Sequence, residues 1–185
     1  MPADQASEPY RGDVTVLDHH RTPAEQHGRA AIDDAEIRHA QDLLFFAYRD
    51  FTNAADVILE ELGLGRAHHR ALHFIDRNPG MTVSDLLAIL RITKQSLARV
   101  LSALMEQGYV GQTTGAKDRR QRLLTLTDKG KALERRLFER QRERLAAAFR
   151  VAGPAAVDGF RAVMREIMDE TARDSVDEAH QRRTS

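Results

Sequence analysis

Three histidines, His68, His69 and His73, lie within six positions of one another. On a helix, His69 and His73 would share a face, as two ligands of a zinc ion or a haem iron could. No H-E-x-x-H arrangement, P-loop, dinucleotide fingerprint or nucleophile elbow accompanies them, and the chain has no cysteine for a thiolate metal site or a nucleophile. We therefore expect no catalytic residue, metal ion or cofactor. We expect His69 and His73 to be packed or to line a pocket, and His68 to be exposed.

A second set of chemically active side chains is cationic and concentrated in one part of the chain. Residues 91–122 carry seven Lys or Arg and two acids, a local net charge of +5, although the whole chain has 28 basic and 28 acidic residues. Residues 1–34 carry seven acids and three arginines, a net charge of −4. An anionic partner such as nucleic acid responds to the local excess of positive charge in residues 91–122 and not to the net charge of the whole chain. Aromatic residues make up only 5% of the chain, so stacking on single-stranded bases is not expected.

The first part of this basic region predicts a helix with two different faces. After Thr93, a typical N-cap residue, one stripe of side chains is apolar and the opposite face is small and polar. The stripe comprises Leu97, Val100, Leu101, Leu104 and Met105, and the polar face comprises Lys94, Gln95, Ala98, Arg99 and Ser102. A short helix capped by Thr82 precedes it. The pair predicts a helix-turn-helix whose second helix enters a DNA major groove.

The polar face offers side chains for two kinds of DNA contact. Gln95 can pair with an adenine edge and Arg99 with a guanine edge, each through two hydrogen bonds. Lys94 and Ser96 lie near the helix N-terminus, where amide donors and the helix dipole favour phosphate. We therefore expect these four side chains, with Thr93, at a DNA interface.

Two stretches of strand composition, residues 109–113 and 123–127, predict a hairpin with a long basic tip. The tip contains Lys117, Asp118, Arg119, Arg120 and Arg122. Asp118 can accept a charge-assisted hydrogen bond from Arg120 or Arg122, which would stiffen the tip and leave an arginine free to enter a narrow minor groove. We expect all five side chains to contact DNA.

The rest of the chain predicts helices that position this winged helix-turn-helix. Helical periodicity predicts a first helix over residues 34–62 and a second over residues 66–77, which ends at Asn78-Pro79-Gly80. Two more helices follow Thr127 and are separated by Gly153-Pro154. The predicted fold class is all-α with a small β-hairpin wing.

This pattern divides the chain into five parts. Residues 1–33 are expected to be a disordered acidic tail, and residues 175–185 a frayed C-terminus. Residues 64–127 are the predicted winged helix-turn-helix DNA-binding domain, and residues 34–62 and 128–174 are the predicted dimerisation helices.

The terminal helices have more apolar surface than a domain of this size can cover. We expect a twofold symmetric dimer built from the first, fifth and sixth helices, which would hold two recognition helices about 34 Å apart, one turn of DNA. The side chains expected to need the partner are Leu133, Leu137, Val157, Phe160, Val163, Met164 and Ile167.

Three sequence segments carry a family resemblance: T-K-Q-S at 93–96, L-M-E-Q-G-Y-V at 104–110 and D-R-R-Q-R-L-L-T-L-T at 118–127. Together they resemble the MarR family of bacterial transcription regulators, and the order of helices agrees over about residues 35–172. The resemblance implies a homodimer with interlocking terminal helices that binds palindromic promoter DNA, usually as a repressor relieved by a ligand. It also implies that Asp118 and Arg120 are the wing pair and that residues 93–99 form the front of the recognition helix.

The chain departs from this family early in the second helix, where His68-His69 replaces a glutamine followed by an aromatic residue. The resemblance places an effector pocket between the second helix, the first helix and the dimer core. We expect His69 and His73 to line it, across from Phe46 and Tyr48 or Arg49. A carboxylate-bearing aromatic ligand or a metal would then partner the imidazoles. The cysteine redox sensing of the family is excluded.

The sequence thus favours a cytoplasmic regulator that binds double-stranded promoter DNA as a homodimer, with a small-molecule effector and no membrane contact. It shows no export signal, and no apolar run approaches the ~18 residues that span a bilayer. Two alternatives remain open. One is a winged-helix adaptor that binds proteins instead of DNA, which would not need the basic tip. The other is an enzyme or sensor that holds a metal on the histidine cluster, which would retain metal through purification.

Overall fold

The computed structural model describes residues 33–115 and 121–184. Within those residues it has seven helices and three strands. They are α1 (Asp34–Glu61), α2 (Arg66–Arg77), β1 (Met81–Thr82), α3 (Val83–Leu90), α4 (Lys94–Glu106), β2 (Val110–Thr114), β3 (Arg122–Leu126), α5 (Asp128–Ala152), α6 (Pro154–Ile167) and α7 (Glu170–Thr184). The predicted class, helical with a small β element, is confirmed. The predicted acidic tail lies outside the described residues, apart from Asp33.

Threonine caps set the boundaries of the helix-turn-helix, as the sequence predicts. Thr82 caps α3: its hydroxyl accepts from the Asp85 N–H at 3.1 Å, while its own N–H donates to the Asp85 carboxylate at 2.9 Å. Thr93 caps α4 and Thr127 caps α5. Such a cap contributes about 1 kcal/mol by satisfying amide donors that have no partner in the helix.

The predicted hairpin is part of a three-stranded antiparallel sheet with strand order β1-β3-β2. Val110 pairs with Leu126 in the hairpin, and Met81 of β1 pairs with Leu124. Each hairpin strand lies one residue closer to the tip than predicted. The sequence does not reveal β1, because two residues are too short to show the alternation typical of a strand.

The core joins the helix-turn-helix, the sheet and the first half of α5. Its fully buried side chains include Leu72, Ile75, Leu86, Leu97, Leu104, Leu124 and Leu137. Leu133 and Leu137 are 3% and 0% exposed within one protomer, so the prediction that they need a dimer partner is wrong. Periodicity identifies the buried face of α5, but it does not say that α2 and the sheet cover it.

A glycine permits α5 to approach the sheet closely. A Cβ atom on Gly130 would lie 2.0 Å from the carbonyl oxygen of Tyr109, well inside van der Waals contact. The Thr127 N–H donates to the same Tyr109 oxygen at 3.0 Å. The first turn of α5 therefore lies directly against the backbone where β2 begins.

The C-terminal part of the chain differs from the prediction. Residues 175–184 belong to α7, whereas the sequence predicts fraying from residue 175. The Asp169 carboxylate accepts from the Ala172 N–H at 2.9 Å and so caps α7, and Arg165 of α6 forms two hydrogen bonds with Asp177. α7 is held mainly by polar contacts, and its sequence has little apolar periodicity. The apolar pattern from which helices are predicted is therefore weak in this part of the chain.

Large apolar side chains remain exposed on α1 and α6. On α6, Val163 is 59% and Ile167 is 62% exposed, and Phe160 lies on the same face. On α1, Leu43, Phe45 and other apolar side chains are also exposed. None of the helices in the described part of the chain combines the length and apolar character that crossing a membrane requires.

Candidate nucleic-acid interface

The polar face of α4 is exposed as predicted. Leu97, Val100, Leu101 and Leu104 are buried, while Lys94, Gln95, Ala98, Arg99 and Ser102 are exposed on the other side. The apolar stripe fixes which way α4 is turned, because rotating the helix would expose those leucines to water. The base-reading candidates Gln95 and Arg99 are therefore held on the outside of the protein.

Thr93 and Ser96 organise the N-terminus of α4. The Thr93 hydroxyl accepts from the Ser96 N–H at 3.1 Å and donates to the Ser96 hydroxyl oxygen at 2.9 Å. Thr93 is thus occupied in capping, which makes it a positioning residue as well as a candidate contact. Ser96 keeps its own O–H for donation. The first-turn amides and the Ser96 hydroxyl can donate to a phosphate oxygen at this end of the helix.

Two hydrogen bonds join the strands of the wing at the end next to its tip. The Gly115 N–H donates to the Gln121 carbonyl at 3.0 Å, and the Arg122 guanidinium donates to the Thr114 hydroxyl at 2.9 Å. Arg122 therefore begins β3 and pairs with Thr114, rather than lying in the tip. The other predicted tip residues, Lys117, Asp118, Arg119 and Arg120, lie outside the described residues, and so does the predicted Asp118 pair.

The turn between α3 and α4 has two arginine contacts that the sequence analysis missed. Arg70 of α2 donates to the Leu90 carbonyl at 3.2 Å, at the end of α3. Arg91 adopts the left-handed conformation, with φ of 50°, and its guanidinium lies 2.6 Å from the Asp169 carboxylate. A non-glycine residue in this region is uncommon. No local pattern links Arg91 to Asp169, because they are far apart in the sequence.

The histidines of α2 have different environments. His68 is half-buried at the start of α2 and not exposed as predicted, and its Nδ1 atom accepts from the Gly65 N–H at 3.0 Å. Burial, followed by the neighbouring His73, lowers the pKa of His69, while Glu134 and Asp56 act in the opposite direction. His73 Nδ1 lies 3.6 Å from the Glu134 carboxylate on α5. The structure therefore places His69 and His73 of α2 near Glu134 of α5 and Asp56 of α1.

The aromatic half of the predicted effector pocket is exposed on α1. The Arg49 guanidinium lies 4.8 Å from the centre of the Phe46 ring and 2.8 Å from the Asp50 carboxylate, and Tyr48 is exposed. A cavity of about 870 Å³ lies between α1 and α5. It is lined by Asn53, Ala54, Val57, Ile58, Glu61, Ala132, Arg135, Arg136, Glu139, Arg140 and Glu143, a set without the five predicted effector residues. Across the described ranges, no three His, Asp or Glu side chains are grouped as a metal site requires.

Comparison with known proteins agrees with this arrangement of elements. The family model described as MarR family matches residues 62–121. The HTH-type transcriptional regulator PetP of Rhodobacter capsulatus is 51% identical over 140 residues, 76% of this chain and 84% of PetP. Among solved structures, a mutant of MarR from E. coli complexed with operator DNA has a TM-score of 0.57 at 19% identity, over 72% of this chain and 96% of that one.

A second solved structure is NadR in complex with 4-hydroxyphenylacetate. It has a TM-score of 0.60 at 22% identity and covers 75% of this chain and 95% of its own. At these identities the solved structures support the fold, and the close similarity to PetP extends to most of the sequence. The chain belongs to the MarR family of transcriptional regulators.

Proposed function

We propose that this regulator is a homodimer that binds palindromic double-stranded DNA and represses transcription until a small effector releases it, without catalysing a reaction. The observation that carries the proposal is the exposed face of α4, where Gln95 and Arg99 lie beside a capped and cationic helix N-terminus. The MarR neighbour complexed with operator DNA supports the use of this fold on DNA. α4 would lie in the major groove.

Within this proposal the side chains have separate tasks. Gln95 and Arg99 read base edges, while Lys94, Ser96 and the first-turn amides bind phosphate. The wing follows α4 directly, and its cations Lys117, Arg119 and Arg120 would reach the adjacent minor groove, with Asp118 stiffening the tip. Arg122 contributes mainly by holding the hairpin stem through Thr114.

The exposed apolar faces support a dimer. Phe160, Val163 and Ile167 of α6, together with Val157 and Met164, would be covered by the partner along with the exposed part of α1. A twofold axis would then hold two copies of α4 about 34 Å apart, facing successive major grooves on one side of the DNA. Such a dimer requires a binding site with two inverted half-sites.

For the effector we propose an aromatic carboxylate that binds at His69 and His73, with Phe46, Tyr48 and Arg49 contributing from α1. The two imidazoles lie between helices of the DNA-binding and dimerisation parts, so a ligand there could change the position of α4. The phenol-bearing carboxylate in the NadR complex is a ligand of this class. Arg49, now paired with Asp50 at the surface, would supply the opposite charge.

The DNA-reading proposal predicts two separable classes of variant. Footprinting on the DNA upstream of the gene would first supply an operator duplex. Gln95→Ala and Arg99→Ala should each reduce the free energy of binding to the operator by about 1–3 kcal/mol, and that of binding to a scrambled duplex by much less. Lys94→Ala should weaken binding to both duplexes alike and lower the salt slope by about 2, because it removes one phosphate contact from each protomer of the dimer. Equal losses on both duplexes for Gln95→Ala and Arg99→Ala would show that another face of α4 meets the bases.

The effector proposal predicts that His69→Ala and His73→Ala bind the operator as the wild type does, yet fail to release it. The measurement is operator affinity across a panel of aromatic carboxylates that includes 4-hydroxyphenylacetate. His39→Ala is the matched control, since His39 is an exposed histidine of α1 and should leave the response intact. If both variants still release the operator at the wild-type ligand concentration, these imidazoles are packing residues and the effector binds elsewhere.

A further inference from the structure

Arg91 is placed where a DNA phosphate would be expected. It lies two residues before Thr93, the cap of α4, and the N-terminal end of a recognition helix is the part that approaches DNA. Its left-handed backbone directs the chain from α3 into α4. The side chain is exposed, but its guanidinium already has a partner: it lies 2.6 Å from the Asp169 carboxylate.

The partner of Arg91 belongs to an acidic segment. Residues 169–178 contain five acids and one arginine, a net charge of −4. Asp169 is fixed at the start of this segment because one carboxylate oxygen accepts from the Ala172 N–H and the other faces Arg91. The Ala172 N–H, and after it the Arg91 charge, lower the pKa of Asp169, so the carboxylate is ionised at neutral pH. The first carboxylate of an anionic segment is thus held against the turn that precedes the recognition helix.

We propose that Arg91 is a phosphate-binding residue of the DNA interface and that Asp169 occupies it in the free protein, so that the start of α7 competes with DNA. The inference rests on the DNA binding proposed above. A carboxylate and a phosphate cannot both take the same guanidinium donors, and the acidic segment also repels the DNA backbone. Competition is reciprocal: DNA binding must weaken the contact between α7 and Arg91 by the factor by which that contact weakens DNA binding.

Asp169→Asn tests this directly, because an asparagine oxygen still caps α7 while the charge that holds Arg91 is gone. Binding is measured by fluorescence anisotropy over a salt series, on the footprinted upstream duplex and on a scrambled duplex of ~30 base pairs, long enough for two half-sites. We expect Asp169→Asn to bind both duplexes about 5-fold more tightly at low salt. A change in affinity of this size corresponds to the free energy that exposed ion pairs contribute. We expect the salt slope to steepen by about 1.8, because each of the two protomers gains one phosphate contact, at about 0.9 per contact.

Asp158→Asn is the matched control. Asp158 is an exposed acid of α6 that pairs with Arg161 at 3.0 Å, and it lies nine residues before the end of α6. Its substitution changes the net charge equally without touching Arg91, so its affinity should stay within about 2-fold of wild type, since exposed pairs of this kind contribute little. In an Arg91→Ala background, Asp169→Asn should have no larger effect than Asp158→Asn, because no guanidinium remains to be released.

The outcomes separate this inference from the DNA-binding proposal. If the wild type binds the duplexes but Asp169→Asn matches the Asp158→Asn control, competition for Arg91 is refuted while DNA binding stands. If Asp169→Asn binds more weakly, the Arg91 contact supports DNA binding and the inference is again wrong. If the wild type binds neither duplex, the DNA-binding proposal fails, and this inference fails with it.

Discussion

Gly130→Ala should lower the free energy of unfolding by about 3 kcal/mol or more. The new Cβ would lie 2.0 Å from the Tyr109 carbonyl oxygen and 3.0 Å from its carbonyl carbon. Both are backbone atoms, so no side-chain rotation relieves the overlap, and α5 must move away from the sheet. Urea denaturation of both proteins at one protomer concentration measures the difference, since the stability of a dimer depends on concentration.

Gly159→Ala is the matched control for that variant. Gly159 lies inside α6, and a Cβ there meets no atom within 4 Å. Alanine favours a helix interior over glycine by about 1 kcal/mol, so this variant should be slightly more stable than the wild type. If Gly130→Ala unfolds at the same urea concentration as Gly159→Ala, the close approach of α5 to Tyr109 does not exist in solution.

Val163→Asp should convert the proposed homodimer into monomers and weaken operator binding by about 100-fold or more. Val163 lies in the middle of the exposed apolar face of α6, between Phe160 and Ile167. A carboxylate buried there without a partner costs several kcal/mol, while the monomer keeps it in water. A monomer binds one half-site and loses the gain in affinity from joining two sites. Sedimentation velocity and operator titration measure the two effects on the same sample.

The control is Ala155→Asp, an exposed position on the opposite side of α6. It introduces the same charge into the first helical turn, where an acid is favourable, and should leave both assembly and DNA affinity unchanged. Should Val163→Asp remain a dimer with normal operator binding, the exposed face of α6 is not the dimer interface. A dimer would then have to be built on the apolar residues of α1.

Local chemistry explains which parts of the fold the sequence predicts well. Thr82, Thr93 and Thr127 were each predicted to begin a helix, and each does, because a cap depends only on residues within four positions. The two faces of α4 were also predicted correctly, since its apolar stripe repeats with the helical period. The exposure of Gln95 and Arg99 follows from that periodicity alone.

Contacts between distant segments explain the errors. Periodicity shows that Leu137 is buried, but it cannot tell the protomer core from a partner subunit. The helix α7 depends on contacts such as Arg165 with Asp177, and the Arg91–Asp169 pair joins segments that no local pattern connects. His68 is half-buried at the start of α2, where its ring accepts from the Gly65 N–H, a contact that its spacing at the helix start could have suggested. The basic tip and the effector residues stay predictions.

Hydrogen bonds made by Thr127 join the C-terminal end of α4 to the N-terminal end of α5. Its hydroxyl donates to the Gly108 carbonyl at 2.7 Å and accepts from the Gly130 N–H at 3.0 Å, while its own N–H donates to Tyr109. Because these bonds fasten the end of α4 to the base of α5, the 25-residue helix α5 acts as a lever about 37 Å long. A tilt of only about 5° over that length displaces one end by roughly 3 Å. A movement of that size at the far end of α5 would therefore reach the attached end of α4 as a rotation of about 5°.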